Sequence, residues 1–205
     1  MRTALRTAVA AAFFTLLSLA AVAQAPAVNQ QRLQALKPPV GAKVAIIVFE
    51  DLQCPDCARA HPLVKQVSEA QKVPVIHRDF PLPQHNFARP AAVYARYFDT
   101  KSQKLGNAFR EYIFLNQAAV TAANLKDMVD KFAQQNGVAM PFLLDPGKRL
   151  EAKIDADVAL GKKIGIQHTP TIFVVGSSKT MAEPFVEVVD RSQLSQMVAD
   201  MKAAK

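Results

Sequence analysis

Cys54 and Cys57 stand as Cys54-Pro55-Asp56-Cys57, between an apolar run and a stretch of helical spacing. They are the only cysteines in the chain. A cysteine that opens a helix meets unpaired N–H groups and the positive end of the helix dipole, which stabilise a thiolate. Such a thiolate attacks disulfides and leaves from them readily, and a second cysteine one turn on can resolve the mixed disulfide. Other uses of the pair fit less well. A stabilising bridge over so small a loop constrains the unfolded chain little. Zinc needs two further ligands from four histidines, no two of which are spaced as a local pair on one helix. A c-type haem needs His after the second cysteine, where Ala58 stands.

Gln167-His168-Thr169-Pro170-Thr171-Ile172-Phe173 is the second motif. Proline just before a buried strand lacks the ladder donor, and its peptide bond can be cis. Thr169 and Pro170 then leave an open backbone edge that can hold a substrate peptide beside the cysteines; an ordinary turn proline is the plain alternative. Pro55, Asp56 and His168 are candidate tuning residues. The Asp56 carboxylate is expected to raise the Cys54 pKa. His168, as a cation, would lower it, unless it is a surface histidine. His61, on the helical face of Cys57, reads as a packing or capping residue, and His77 and His85 as structural or surface residues.

These residues need a scaffold. Val44–Phe49 is rich in β-branched residues and reads as a strand buried on both faces. Ala58–Lys72 has helical spacing, with a kink expected at Pro62. Val73–Phe80 reads as a second strand, so the opening is a parallel strand–helix–strand unit. Helical segments follow over Ala91–Lys104, Gly106–Asn116, Thr121–Asn136 and Asp145–Lys163, a block too long for one crossover helix. Thr171–Val175 and Pro184–Val189 read as a hairpin turning at Gly176–Ser178, followed by a helix over Ser192–Ala204.

The chain has 205 residues, half of them hydrophobic, and a formal charge of +8. That supports one cored domain, or one domain carrying an insertion, and excludes a disordered or disulfide-stapled chain. Without arginine runs or basic–aromatic alternation, nucleic-acid binding is not indicated. Met1–Ala8 carries Arg2 and Arg6, an apolar run follows, and Ala21-Val22-Ala23 closes it as a small-x-small exit. This reads as a signal peptide cut after Ala23, or after Ala25 as second choice. A retained anchor is the alternative, since Thr7–Val28 is long enough to span. The expected division is 1–23 signal peptide, 24–39 an arm with about one helical turn, and 40–205 one domain, with its helical insertion over about 84–163.

Phe49-Glu50-Asp51-Leu52-Gln53-Cys54-Pro55-Asp56-Cys57, Arg78-Asp79-Phe80-Pro81-Leu82-Pro83 and Thr169-Pro170-Thr171-Ile172-Phe173-Val174 together resemble the DsbA-like thiol:disulfide oxidoreductases of the thioredoxin superfamily. The resemblance implies an α/β thioredoxin-like fold with an inserted helical subdomain. It implies that Cys54 is the nucleophile, that Cys57 resolves, and that Pro170 is the cis-proline facing them. It implies an exported, periplasmic-type enzyme, expected to be a monomer, that acts on cysteine-containing substrate proteins. A membrane quinone-linked partner, DsbB-like or VKOR-like, would reoxidise it, and neither metal nor cofactor is implied. Where many relatives carry a buried acid, this chain has Val48, so a proton relay would fall to Glu50, Asp51 or water; solvated loop residues are the alternative for both acids. Oxidase is the expected direction. Asp56 keeps a specialised reductase open, and a non-catalytic peptide-binding module is the reading from another class.

Overall fold

The structure is a computed structural model that describes residues 29–177 and 184–204. Residues 1–23, where a signal peptide is expected, residues 24–28 of the arm and Ser178 of the expected hairpin turn lie outside the described residues. Among the described residues no helix is long and apolar enough to cross a membrane.

Strand β1 (Val44–Glu50) is buried along its whole length. It pairs parallel with β2 (Val75–Asp79) and antiparallel with β3 (Thr171–Gly176), which pairs antiparallel with β4 (Phe185–Glu187). The order β2-β1-β3-β4 puts β1 and β3 in the middle, where residues apolar on both faces belong. Val44, Ile46 and Val48 face helices α1 (Pro55–Gln71) and α6 (Leu194–Ala203). Ala45, Ile47 and Phe49 point the other way, onto Phe80, Ile164 and Leu36.

Between β2 and β3 lie α2 (Ala88–Lys101), α3 (Gln103–Leu115), α4 (Leu125–Gln135) and α5 (Arg149–Lys163). Phe98, Phe109 and Phe132 meet at centroid distances of 4.8 to 5.2 Å at the core of this block. Leu52, Cys54 and Cys57 pack against the same apolar cluster, so the cysteines sit at the seam between sheet and helices. Helix α5 lies close to the sheet at Gly161, where a Cβ would stand 2.5 Å from the Phe80 ring.

Helix α1 runs from Pro55 through Pro62 to Gln71, so Cys54 stands at its start as expected, and proline at the first helical position loses no hydrogen bond. One expectation needs correction. The arm holds more than one turn: residues 29–35 are helical, Leu36 is buried, and Arg32 Nε donates to the Ile164 carbonyl at 2.9 Å. A short 3-10 turn, Arg191–Gln193, precedes α6.

Candidate active site

Cys54 is the N-cap of α1, held in extended backbone geometry, with Pro55 first in the helix and Asp56 in its first turn. Only 7% of Cys54 and 2% of Cys57 is exposed, and both are free thiols. The two sulfurs are driven apart in acidity. Cys54 is lowered to about 5, mainly by the hydrogen bond from Cys57. Burial opposes this, and the backbone N–H groups of Cys57 and Asp56 add to it. Cys57 is raised far above an ordinary thiol, first by burial and then by its bond to Cys54. The Asp51 N–H approaches Cys57 Sγ at 3.4 Å. One sulfur is therefore a ready thiolate and the other a held thiol.

The loop before β3 brings the second motif to this pair. The Thr169–Pro170 bond is cis. Cys54 Sγ lies 3.4 Å from the Thr169 carbonyl, and the buried Thr169 hydroxyl has no hydrogen-bond partner among the described residues. His168 is exposed; its carbonyl accepts from Thr171 Oγ1 at 2.7 Å, and no described contact brings its ring to the sulfurs.

Asp56 does not act on Cys54 as its charge alone suggests. Arg191 Nη2 donates to both carboxylate oxygens at 2.8 Å, and Arg59 Nη2 to Oδ1 at 3.1 Å. Arg191 holds the Asp56 carboxyl below its usual range, while its backbone N–H helps lower Cys54. The expected rise at Cys54 is not found: its pKa falls, first through the hydrogen bond from Cys57, and the Asp56 charge is paired with Arg191 and Arg59.

Nor are Glu50 and Asp51 solvated loop residues: they are 4% and 1% exposed. Glu50 ends β1 two residues beyond Val48, hence on the same face. It meets His77 Nδ1 at 2.8 Å. Val48, Glu50, Cys57, His61, His77 and Pro170 all line a cavity of about 10 Å³, room for about one water. His61, Val64 and His77 also line a groove of about 420 Å³ between α1, β2 and α3. The His61 ring stacks at 5.0 Å on Phe114 and leaves Nε2 without a partner among the described residues; burial lowers its pKa. Asp51 is a loop organiser that accepts from the N–H groups of Gln53 and Leu82 and meets His85 Nδ1, each within 2.8 Å.

Under Glu50 lies a buried ionic cluster. Arg110 is fully buried, donates to both Asp99 oxygens at 3.1 and 3.2 Å, and sits 3.4 Å from Glu50 and 3.5 Å from Asp79. Arg96 joins Asp79 to Asp157, and Arg78 reaches Asp157 at 2.9 Å. The carboxylates of Glu50, Asp79, Asp99 and Asp157 thus outnumber the three guanidiniums by one. The charge balances when the cluster holds one extra proton. Burial raises Asp79, against the pull of Arg110 and Arg96. At Glu50 burial also pushes upward, but His77 and Arg110 outweigh it and the carboxyl ends below its ordinary range.

Sequence reading missed Arg191, His77 as Glu50's partner, Arg110, and Gln117, whose Nε2 donates to the carbonyls of Leu52 and Cys54 at 3.0 and 3.1 Å. No local signal marks them, since each partner lies far off in the chain.

A dithiol that caps a helix after a central strand, faced by a cis-proline, defines a thioredoxin-type redox protein. A family model described as thioredoxin matches residues 40–191, and the chain belongs to that family. Its form of the fold is the DsbA-like one. Alpha-DsbA2 of Wolbachia pipientis, described as a thiol-disulfide exchange protein, is 17% identical with TM-score 0.65, over 87% of this chain and 98% of that one. The catalytic domain of Proteus mirabilis ScsC is 18% identical with TM-score 0.65, over 86% and 97%. A periplasmic thioredoxin-like protein of Salmonella enterica serovar Typhimurium is 20% identical with TM-score 0.63, over 82% and 91%. No curated protein matches the chain.

Proposed function

We propose that this protein is an exported thiol:disulfide oxidoreductase that introduces disulfides into cysteine-containing proteins. In the first step a substrate thiolate attacks Cys54 Sγ of the Cys54–Cys57 disulfide. That bond breaks, a Cys54–substrate disulfide forms, and the electron pair leaves on Cys57, whose sulfur takes up one proton. A second substrate thiolate then attacks the substrate sulfur of the mixed disulfide. Cys54 leaves as a thiolate, the substrate has lost two electrons, and the protein holds the reduced pair. Thr169 and Pro170 present the backbone edge that holds the substrate chain. Glu50, on the same cavity as Cys57, is the group that gives and takes its proton, with His77 linking it to the groove beyond.

The opposite acidities of the two sulfurs carry this reading. A stable Cys54 thiolate stabilises the reduced state and so makes the disulfide an oxidant. Capture of Asp56 by Arg191 removes the reason to favour a reductase. Residues 1–23 would direct export to a periplasm or its equivalent and be removed there. The mature protein would act as a monomer and be reoxidised by a membrane quinone-linked partner.

Equilibration with glutathione tests the direction. A reduction potential near the oxidising end of the superfamily, about −120 mV, supports an oxidase; a value near about −270 mV overturns it in favour of a reductase. Oxidised protein should also convert a reduced client to its disulfide form, and Cys54→Ser should abolish that conversion. Activity that survives the substitution would refute the role of Cys54.

A further inference from the structure

Asp56 is the second residue of α1, a position from which a carboxylate ordinarily turns back onto the free N–H groups of the first turn. Those N–H groups, at Asp56 and Cys57, are the ones that help hold Cys54 as a thiolate. A free carboxylate there would compete for the same donors and repel the sulfur. Instead it faces two cations from two elements. Arg59 comes from its own helix at 3.1 Å. Arg191 comes from the turn before α6, with Nη2 at 2.8 Å from both oxygens and Nη1 at 3.5 Å from the Asp56 carbonyl.

That turn is firmly held. The Asp190 carboxylate caps it by accepting from the Ser192 N–H at 3.0 Å and from Ser192 Oγ at 2.7 Å. The Val188 N–H donates to the Ile172 carbonyl at 2.8 Å, and Leu194 is fully buried. The guanidinium therefore reaches Asp56 from a braced position. Both partners keep 36% of their side-chain surface in solvent, and a pair that open contributes little to folding.

We infer that Arg191 is a positioning residue for the redox pair: it clamps the Asp56 carboxylate away from the helix N-terminus and leaves the first-turn N–H groups to Cys54. The inference deepens the proposed function and rests on Cys54 as the attacking sulfur. The other groups about that sulfur are Cys57 from α1 and Thr169 from the loop before β3; His168, which precedes Thr169 in the chain, is exposed. Arg191 is thus the distant cation that makes a Pro-Asp dipeptide compatible with a reactive cysteine.

The test is a cycle of Arg191→Ala, Asp56→Asn and the double variant, each as full-length reduced protein. The readout is the Cys54 titration midpoint, from the pH dependence of alkylation by iodoacetamide. Arg191→Ala should raise the midpoint by about half to one pH unit, which is roughly three- to tenfold less thiolate below the midpoint. With Asp56→Asn already in place, Arg191→Ala should produce no further rise. Arg191→Lys, with the charge but not the fork, should recover part of the shift. An unchanged midpoint in Arg191→Ala overturns the inference, and so does an equal rise with Asp56→Asn in place. Alkylation needs no client protein, so a failure of disulfide transfer would count against the proposed function and leave this cycle standing.

Discussion

Moving the pH from about 4 to about 8 at a set glutathione ratio perturbs the Cys54–Cys57 pair without changing a residue. Reduction takes two electrons and, where both sulfurs end as thiols, two protons, so the potential falls by about 59 mV per pH unit. Cys54 is held at about 5 while Cys57 is pushed far up. Above that point only Cys57 takes a proton, and the slope should halve to about 30 mV per unit. A lowered thiol pKa stabilises the reduced protein above that pKa, and the gain is lost as the pH falls through about 5. At neutral pH about two decades separate the medium from the Cys54 titration, or about 60 mV relative to an ordinary thiol. The assay is the glutathione equilibrium potential measured across the range and corrected for glutathione's own titration. A slope that stays near about 59 mV per unit up to about pH 8 would mean Cys54 remains a thiol, and would refute the account of its environment.

Glu50→Gln keeps the shape of the buried carboxyl but cannot carry a proton. It should leave the first attack on Cys54 intact and lengthen the life of a glutathione mixed disulfide at least about tenfold, followed by quenched-flow mass spectrometry; an unchanged lifetime counts against Glu50. Arg110→Met strips the shared cation from Asp99, Asp79 and Glu50, and should cost about 3 to 5 kcal/mol at neutral pH by urea denaturation. Without Arg110 these carboxyls titrate higher, so the loss should shrink as the pH falls and they take up protons. A loss that is small, or that grows on acidification, would contradict the role given to the cluster.

The amino-acid sequence determines by itself whatever depends on neighbours in the chain. The β-branched run Val44–Phe49 makes a central strand wherever it finds partners. The Cys54-Pro55-Asp56-Cys57 spacing sets one sulfur at a helix start and the other a turn later. The apolar periodicity of the insertion marks its helices to within a few residues. The strand–helix–strand opening, the helical insertion and the pair that would do the chemistry are legible on these grounds, and the thioredoxin-like fold follows from the resemblance of the motifs.

Only the tertiary structure decides what surrounds that pair. Asp56 reads from its type as a charge that opposes a thiolate, yet its partner Arg191 is 135 residues away, and no local pattern joins them. Glu50 and Asp51 read as loop acids because nothing nearby shows that β2, α3 and the loop after β2 close over them. Arg110 is charged and would be assigned to a helix surface, but Asp79 and Asp99 make burial tolerable. A side chain's chemical type is written in the chain, whereas the sign and size of its effect depend on which charges and donors lie within a few ångströms. For ionisable groups those neighbours come from elements distant in sequence, and folding alone brings them together.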